Sequence, residues 1–110
     1  MLASELRKGS AEVLVLGVLR ERARHGYEIA RLIEDRSGGE IVFHSATLYP
    51  TLYRLERKGL IKGQWVEKAG QRRRRFYRIT PSGVAALGEQ QAAWVRFFDA
   101  LHRVVNVRET

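Results

Sequence analysis

Ser45-Ala46-Thr47-Leu48-Tyr49-Pro50-Thr51-Leu52-Tyr53-Arg54-Leu55-Glu56-Arg57-Lys58-Gly59-Leu60-Ile61, followed by Gly70-Gln71-Arg72-Arg73-Arg74-Arg75-Phe76-Tyr77-Arg78-Ile79-Thr80, decides the fold of this chain. The first stretch reads as a short helix with Leu48, Leu52 and Leu55 on one face and Gly59 as its stop. The second reads as a strand leaving an arginine-rich turn. A capped helix followed by a basic hairpin is the pattern of a winged helix, in which the helix enters the major groove of duplex DNA and the hairpin tracks phosphates.

The charge map agrees. Residues 54–78 hold ten lysines and arginines against Glu56 and Glu67, which accounts for the whole formal charge of +8. Outside that window the signs balance, so the charge sits on one helix-and-hairpin unit, the electrostatic footprint of a nucleic-acid binder.

Outward from this unit, Leu6 to about Arg22 reads as a first helix. Its apolar residues, Ala11, Val13, Leu14, Val15, Leu16, Val18 and Leu19, fall all round the helical wheel. Such a helix must be buried on every side, and so small a domain is expected to cover only one. The other side is expected to meet a partner subunit or line a cavity, with Gly17 permitting close packing. His25-Gly26-Tyr27-Glu28-Ile29 opens a second helix that stops at Ser37-Gly38-Gly39. Ile41 to Phe43 is a candidate short strand. Ser45 or Thr47 can cap the third helix, and a Thr47 cap puts Pro50 in the first turn, where its missing N–H is harmless. Leu60–Glu67 and Arg72–Thr80 form an antiparallel pair around Lys68-Ala69-Gly70-Gln71. Trp65 on the first of these strands reads as core packing.

Thr80-Pro81-Ser82 begins a last helix running to about Val105. Val84, Leu87, Gln91, Trp94, Phe98, Leu101 and Val105 follow one another at alternating gaps of 3 and 4, a heptad seam with Gln91 as its polar member. Val95, Phe97 and Val104 add apolar surface beyond the seam. Such a helix extends close to ~40 Å at 1.5 Å per residue, longer than the domain beside it, and dimerisation through it is expected. The fold class is therefore α+β, mainly helical. A winged helix-turn-helix DNA-binding domain is expected over 1–80, and a dimerisation helix over 81–110.

Composition bounds the rest. A chain of 110 residues with 45% hydrophobic content makes one folded domain. It has no cysteine, which excludes disulfides and thiolate metal sites. The longest apolar run, Val13 to Leu19, is too short to span a bilayer, and no small-residue cleavage site follows it. A soluble, cytoplasmic protein is expected.

With the leucines of the third helix turned inward, its outer side shows Thr47, Pro50, Tyr53, Arg54 and Arg57, with Ser45 at its start and Tyr49 on the flank. Hydroxyls and guanidinium groups near a helix N-terminus suit phosphate oxygens and base edges. Arg57 and Lys58 stand equally as solvated charge or DNA contacts. Four consecutive arginines, Arg72, Arg73, Arg74 and Arg75, repel one another and point to a polyanion partner. Alternation along a strand would turn only two of them the same way. His25 and His44 lack carboxylate or thiolate companions at ligand spacing and read as structural, so neither a metal nor a cofactor is expected.

His25-Gly26-Tyr27-Glu28-Ile29, Thr47-Leu48-Tyr49-Pro50 with Leu52-Tyr53-Arg54-Leu55-Glu56 and Gly59-Leu60-Ile61, and the arginine-rich turn before Phe76-Tyr77-Arg78-Ile79-Thr80 together resemble the PadR family of bacterial transcriptional regulators. The resemblance covers nearly the whole chain and matches the short branch of the family, with a single C-terminal helix. Gln71 and Phe76 depart from the more common glycine and tyrosine, which stiffens the wing turn and removes a hydroxyl. The resemblance implies a dimeric repressor of an inverted-repeat operator, often beside the gene it controls. It implies that the last helix clasps the partner's first helix, and that Tyr27 lies near the DNA backbone. It also implies a small aromatic effector held in an apolar cavity at the dimer interface. On that reading Val13, Leu16, Gly17, Gln91, Trp94, Phe98, Leu101 and Val105 form the dimer surface and candidate ligand site. Trp94 is then either a dimer anchor or one of two rings sandwiching a planar ligand, with Val13, Leu16 and Phe98 as walls.

Catalysis has no support, since nucleophile motif, phosphate loop and metal spacing are all lacking. The alternatives are an RNA-binding or protein-interaction module on the same winged helix, and a regulator without an effector. A symmetric dimer demands a palindromic duplex, which separates the first alternative from the DNA reading.

Overall fold

The computed structural model describes residues 4–106, with side chains from Gly9 onward. The chain folds as α1 (Ser4–Glu21), β1 (Arg24–His25), α2 (Gly26–Arg36), α3 (Ser45–Arg57), β2 (Ile61–Val66), β3 (Arg74–Ile79) and α4 (Pro81–Val105). The strands form one antiparallel sheet in the order β1-β3-β2. This is the α+β, mainly helical fold expected, with four helices and a small wing. Residues 107–110, at the end of the expected dimerisation segment, and residues 1–3 lie outside the described part.

Local chemistry sets most boundaries. α2 stops where Gly38 and Gly39 take φ of 64° and 83°, and the Gly39 N–H returns to the Glu34 carbonyl at 2.8 Å. α3 ends in the same way, with Gly59 at φ 74° and the Leu60 N–H on the Leu55 carbonyl at 3.0 Å. The Thr80 hydroxyl accepts from the Gly83 N–H at 3.1 Å and caps α4, with Pro81 as its first residue. Gly83 is obligatory for packing: a Cβ there would stand 2.1 Å from the Leu60 carbonyl oxygen.

Three expectations are corrected. Neither Ser45 nor Thr47 caps α3. The cap is His44, whose carbonyl takes the N–H groups of Thr47 and Leu48, both at 2.9 Å. Pro50 consequently lies in the second turn, where it cannot donate to the Ala46 carbonyl. Ile41–Phe43 forms no strand. The third strand is instead β1, which pairs Arg24 with Tyr77 and His25 with Phe76.

The core joins Val15, Leu16 and Leu19 of α1 to Ile29 and Ile33, to Leu48, Leu52 and Leu55, and to Ile61, Tyr77 and Leu87. The all-round apolar character of α1 is used within the chain on more than the one side expected, while Val13, Leu14 and Gly17 line a groove. Its own chain covers several sides, because α2, α3, α4 and β3 all pack on it. Leu16 is fully buried in this core, which removes it from any dimer or ligand surface. α4 is divided in its environment. Gly83 and Leu87 belong to the core, while Phe98, Leu101, Val104 and Val105 are exposed. With 25 residues the helix is ~37 Å long at 1.5 Å per residue, and it helps stretch the molecule to 67 × 28 × 22 Å.

Arg24 is the charged residue that this core absorbs, at 6% exposure. Its Nε donates to the Val18 carbonyl at 3.0 Å, Nη1 to Glu28 at 2.9 Å and Nη2 to Glu21 at 2.8 Å. Each of its three nitrogens therefore has an acceptor on α1 or α2, which suits a buried cation. Arg36 closes on the same Glu21 from the end of α2. Hydrogen bonding from Arg36, followed by the charges of Arg36 and Arg24, outweighs desolvation and lowers the Glu21 pKa from 4.5 to about 2. The folded state then resists protonation more than the unfolded chain does. The stabilisation is complete above about pH 4.5 and disappears as pH falls toward about 2. Thermal melts across that range are expected to show Glu21→Gln less stable than wild type at neutral pH, with the two converging near pH 2; a gap independent of pH would refute the linkage.

Candidate nucleic-acid interface

α3 separates its side chains as its sequence dictates. Leu48, Thr51, Leu52 and Leu55 are buried. Ser45, Thr47, Tyr49, Pro50, Tyr53, Arg54 and Arg57 are exposed. Thr51 belongs to the inner face because its hydroxyl is satisfied there, donating to the Thr47 carbonyl at 2.9 Å and accepting from Arg54 at 3.2 Å.

The wing is fastened to this helix through one carboxylate. Glu56 accepts from Arg75 Nη2 at 2.6 Å and from the Gly63 backbone N–H at 3.2 Å, so it ties the end of α3 to both β2 and β3. Gly63 makes room for this: a Cβ there would meet Arg75 Nε at 2.5 Å. Arg75 also lies over the rings of Trp65 and Tyr77, at 5.6 and 5.8 Å from their centroids. Arg75 is thereby a structural arginine, half-buried and paired within the protein.

The other three arginines remain exposed. Arg73 lies over the Trp65 ring at 4.7 Å, a cation–π contact. Trp65 itself is 52% exposed, which corrects its assignment to the core: it is a surface platform for the wing arginines. Alternation was the available signal, since Trp65 pairs directly with Arg75 in the register. Arg74 Nη1 comes within 2.8 Å of His25 Nε2.

A cleft of about 620 Å³ joins these parts, lined by Tyr27 and His25, Tyr49, Trp65 and the four arginines 72–75. A second hollow of about 670 Å³ continues from Tyr49 and Tyr53 to Arg57 and Arg75. Tyr49 borders both, and its hydroxyl packs so close to Gly26 that a Cβ there would be 3.0 Å away. Tyr27, Tyr49, Tyr53 and the wing arginines thus share one face, flanked by the N-terminal half of α3. Arg54 is turned aside. Its Nε is 3.7 Å from Glu12 of α1, which also holds Lys58 at 3.2 Å.

The residues assigned to a dimer and ligand surface do not form one site within the chain. Val13, Gly17 and Gln91 line a groove of about 610 Å³ between α1, α2 and α4. A Cβ at Gly17 would meet nothing within 4 Å in its own chain, so packing within the chain does not require the glycine. Trp94 lines a separate cavity of about 650 Å³ with Gly9, Glu12, Arg54, Gln90, Ala93 and Phe97. The walls expected beside Trp94, namely Val13, Leu16 and Phe98, are absent from that lining. Phe98 instead stacks on the Trp94 ring at 5.5 Å, and Phe97 meets it edge-on at 6.0 Å. Glu12 and Gln90 were missed because nothing in their local sequence marks them. Among the described residues no cluster suited to a metal ion occurs, and no helix is long and apolar enough to cross a membrane.

Known proteins share this arrangement. The profile of the transcriptional regulator PadR-like family matches residues 15–89. A transcriptional regulator of Mycobacterium tuberculosis is 41% identical over 73 residues, covering 66% of this chain and 54% of that protein. The crystal structure of a PadR family transcriptional regulator from Eggerthella lenta superposes with a TM-score of 0.80 at 34% identity, over 94% of this chain and 88% of that one. A transcriptional regulator from Clostridium thermocellum gives a TM-score of 0.84 at 29% identity, over 94% and 97%. The family profile runs from the first helix through the wing into the last, over a fold these regulators share along nearly the whole chain, and the protein belongs to the PadR-like family of DNA-binding transcriptional regulators rather than to the enzymes.

Proposed function

We propose that this regulator is a cytoplasmic homodimeric repressor of an inverted-repeat operator, placed beside the gene it controls and relieved by a small planar aromatic effector. The observation that carries the reading is the shared face of α3 and the wing, where Tyr49, Tyr53 and Arg57 stand beside Arg72, Arg73 and Arg74. In this reading residues 1–80 bind DNA. Ser45, Thr47, Tyr49, Pro50 and Tyr53 approach the major groove, and Tyr27 and the wing hold phosphates. Residues 81–110 dimerise. Phe98, Leu101, Val104 and Val105 offer apolar surface on a helix that outreaches its own core, more than a free helix leaves to water without cause.

The effector reading rests on the Trp94 cavity. The rings of Trp94 and Phe97 line it beside Gln90 and Glu12, a mixture of aromatic and polar groups that suits a planar ligand with a polar edge. Glu12 connects the cavity to DNA binding, because its carboxylate holds Arg54 and Lys58 of α3. A ligand there alters operator affinity only if it favours one placement of α3 over another.

Three outcomes are expected. Sedimentation should give twice the chain mass at micromolar concentration, and Phe98→Asp should restore the monomer, since a carboxylate buried in an apolar seam costs several kcal/mol. A monomeric wild type refutes the dimer. Replacing Arg72 and Arg73 by alanine should weaken binding to all duplexes alike and flatten the log–log salt slope by about 0.9 per lost phosphate contact per subunit; an unchanged slope removes the wing from the backbone. A planar aromatic compound should quench Trp94 fluorescence, with Trp65→Phe used to isolate that signal, and lower operator affinity. If Trp94→Ala stays folded and binds such compounds as tightly as wild type, the cavity is not the effector site.

A further inference from the structure

The His25 ring and the Arg74 guanidinium meet between the wing and α2. His25 precedes α2, and its Nδ1 accepts from the Glu28 backbone N–H at 3.3 Å. A neutral imidazole accepts at one nitrogen only, so the Nδ1 cap bond and a bond from Arg74 to Nε2 exclude one another; in the tautomer that keeps the cap of α2, the proton is on Nε2. That Nε2 lies 2.8 Å from Arg74 Nη1. A guanidinium nitrogen only donates, so in the cap-keeping tautomer the approach brings two N–H groups together.

The surroundings offer no internal remedy. Glu28 Oε1 is 4.0 Å from Nε2, beyond hydrogen-bond reach. Its other oxygen is taken by Arg24 at 2.9 Å and by Arg22. Protonating the ring would add charge beside arginine, and burial first, then Arg74 and Arg22, hold the His25 pKa below its ordinary 6.5 against the opposing pull of Glu28. The ring cannot readily turn away. Phe76 packs edge-on against it at 5.3 Å, and Tyr27 stacks over it at 6.4 Å. His25 and Arg74 both open onto the cleft that holds the other wing arginines.

We propose that His25 Nε2–H and the Arg74 guanidinium together grip one non-esterified oxygen of a DNA backbone phosphate, making His25 a DNA-contacting residue at the base of the wing. This rests on the DNA-binding reading above and adds to it a neutral donor that a count of lysines and arginines overlooks. An oxygen about 2.9 Å from both nitrogens completes the missing geometry, and the exposed Arg74 side chain has the freedom to adjust. A phosphate suits the site because it supplies acceptors only, which is what two donors in a basic cleft require. His25 thereby links the start of α2 to the wing through the bound strand.

His25→Asn is the informative substitution, since asparagine also caps helices well while removing Nε2–H. Binding of a mixed-sequence duplex should weaken about tenfold at every salt concentration, the scale of a hydrogen bond to a charged group. The salt slope should not change, because a neutral donor releases no counterion. Arg74→Ala should instead lower the slope by about 0.9 per subunit. The double variant should lose little beyond Arg74→Ala, because both groups serve one phosphate. Wild-type affinity in a His25→Asn protein of unchanged melting temperature overturns the clamp. If the Arg72/Arg73 variant still weakens binding in that case, the DNA-binding reading survives alone; a wild type that binds no duplex overturns both.

Long-range ¹⁵N–¹H spectra of wild type provide a second test that needs no variant. The free protein should show the Nε2–H tautomer, and the duplex should shift Nε2. Inorganic phosphate at matched ionic strength should do so only at far higher concentration. An Nδ1–H tautomer, no response to saturating duplex, or an equal response to inorganic phosphate at equal concentration sinks the proposal.

Discussion

Glu56 sets the geometry on which the shared face of α3 and the wing depends. The unit from 54 to 78 has ten positive side chains and only two carboxylates, so its parts repel one another. Glu56 stands where the repulsion would otherwise separate helix from hairpin, and it binds Arg75 and the Gly63 N–H at once. An exposed ion pair alone contributes at most about 1 kcal/mol. This one is half-buried, and its second bond goes to rigid backbone, which converts a modest attraction into a fixed angle between α3 and the wing. Gly63 is required because the guanidinium crosses directly above it. Internal pairing of Arg75 leaves Arg72, Arg73 and Arg74 as the exposed arginines of the run.

The four helices were legible because their signals are local. Gly38, Gly39 and Gly59 adopt the left-handed backbone that a helix stop requires, and Thr80-Pro81 has the composition of a helix start. The split of α3 into a leucine face and a tyrosine–arginine face follows from periodicity alone. What escaped depends on partners distant in sequence. β1 is two residues long and exists only because β3 pairs with it. Arg24 reads as a surface cation until Val18, Glu21 and Glu28 are brought around it. Trp65 looked like core because tryptophan usually is, yet Arg73 and Arg75 give its exposed ring faces to pack against. The apolar wheel of α1 correctly announced burial on many sides. It could not say that the chain's own helices and sheet supply so much of the cover, Leu16 included.

The candidate site shows the same division. Tyr49, Tyr53 and the exposed wing arginines gather on one face, as charge and periodicity implied, and Tyr27, which only the family resemblance pointed to, lies beside them. Arg54 was grouped with them by its place on the helical wheel, and the fold gives it a competing partner. Glu12 lies one helix away and forty-two positions earlier, a relation that no local pattern expresses.

That competing partner gives the Arg54 side chain two environments. It is about half exposed, and the Glu12 carboxylate sits at 3.7 Å, at the long end for an ion pair. A phosphate or a base edge offers shorter, charge-assisted or bidentate bonds. Release from Glu12 is therefore inexpensive, and Lys58 at 3.2 Å stays to neutralise the carboxylate left behind. The side chain also borders the Trp94 cavity, so whatever fills that cavity changes the space in which Arg54 chooses between its partners. A single arginine thus stands between the outer face of α3 and the Trp94 cavity. On the proposed reading the connection is this long ion pair across α1 and α3, which opens without a large rearrangement of the core.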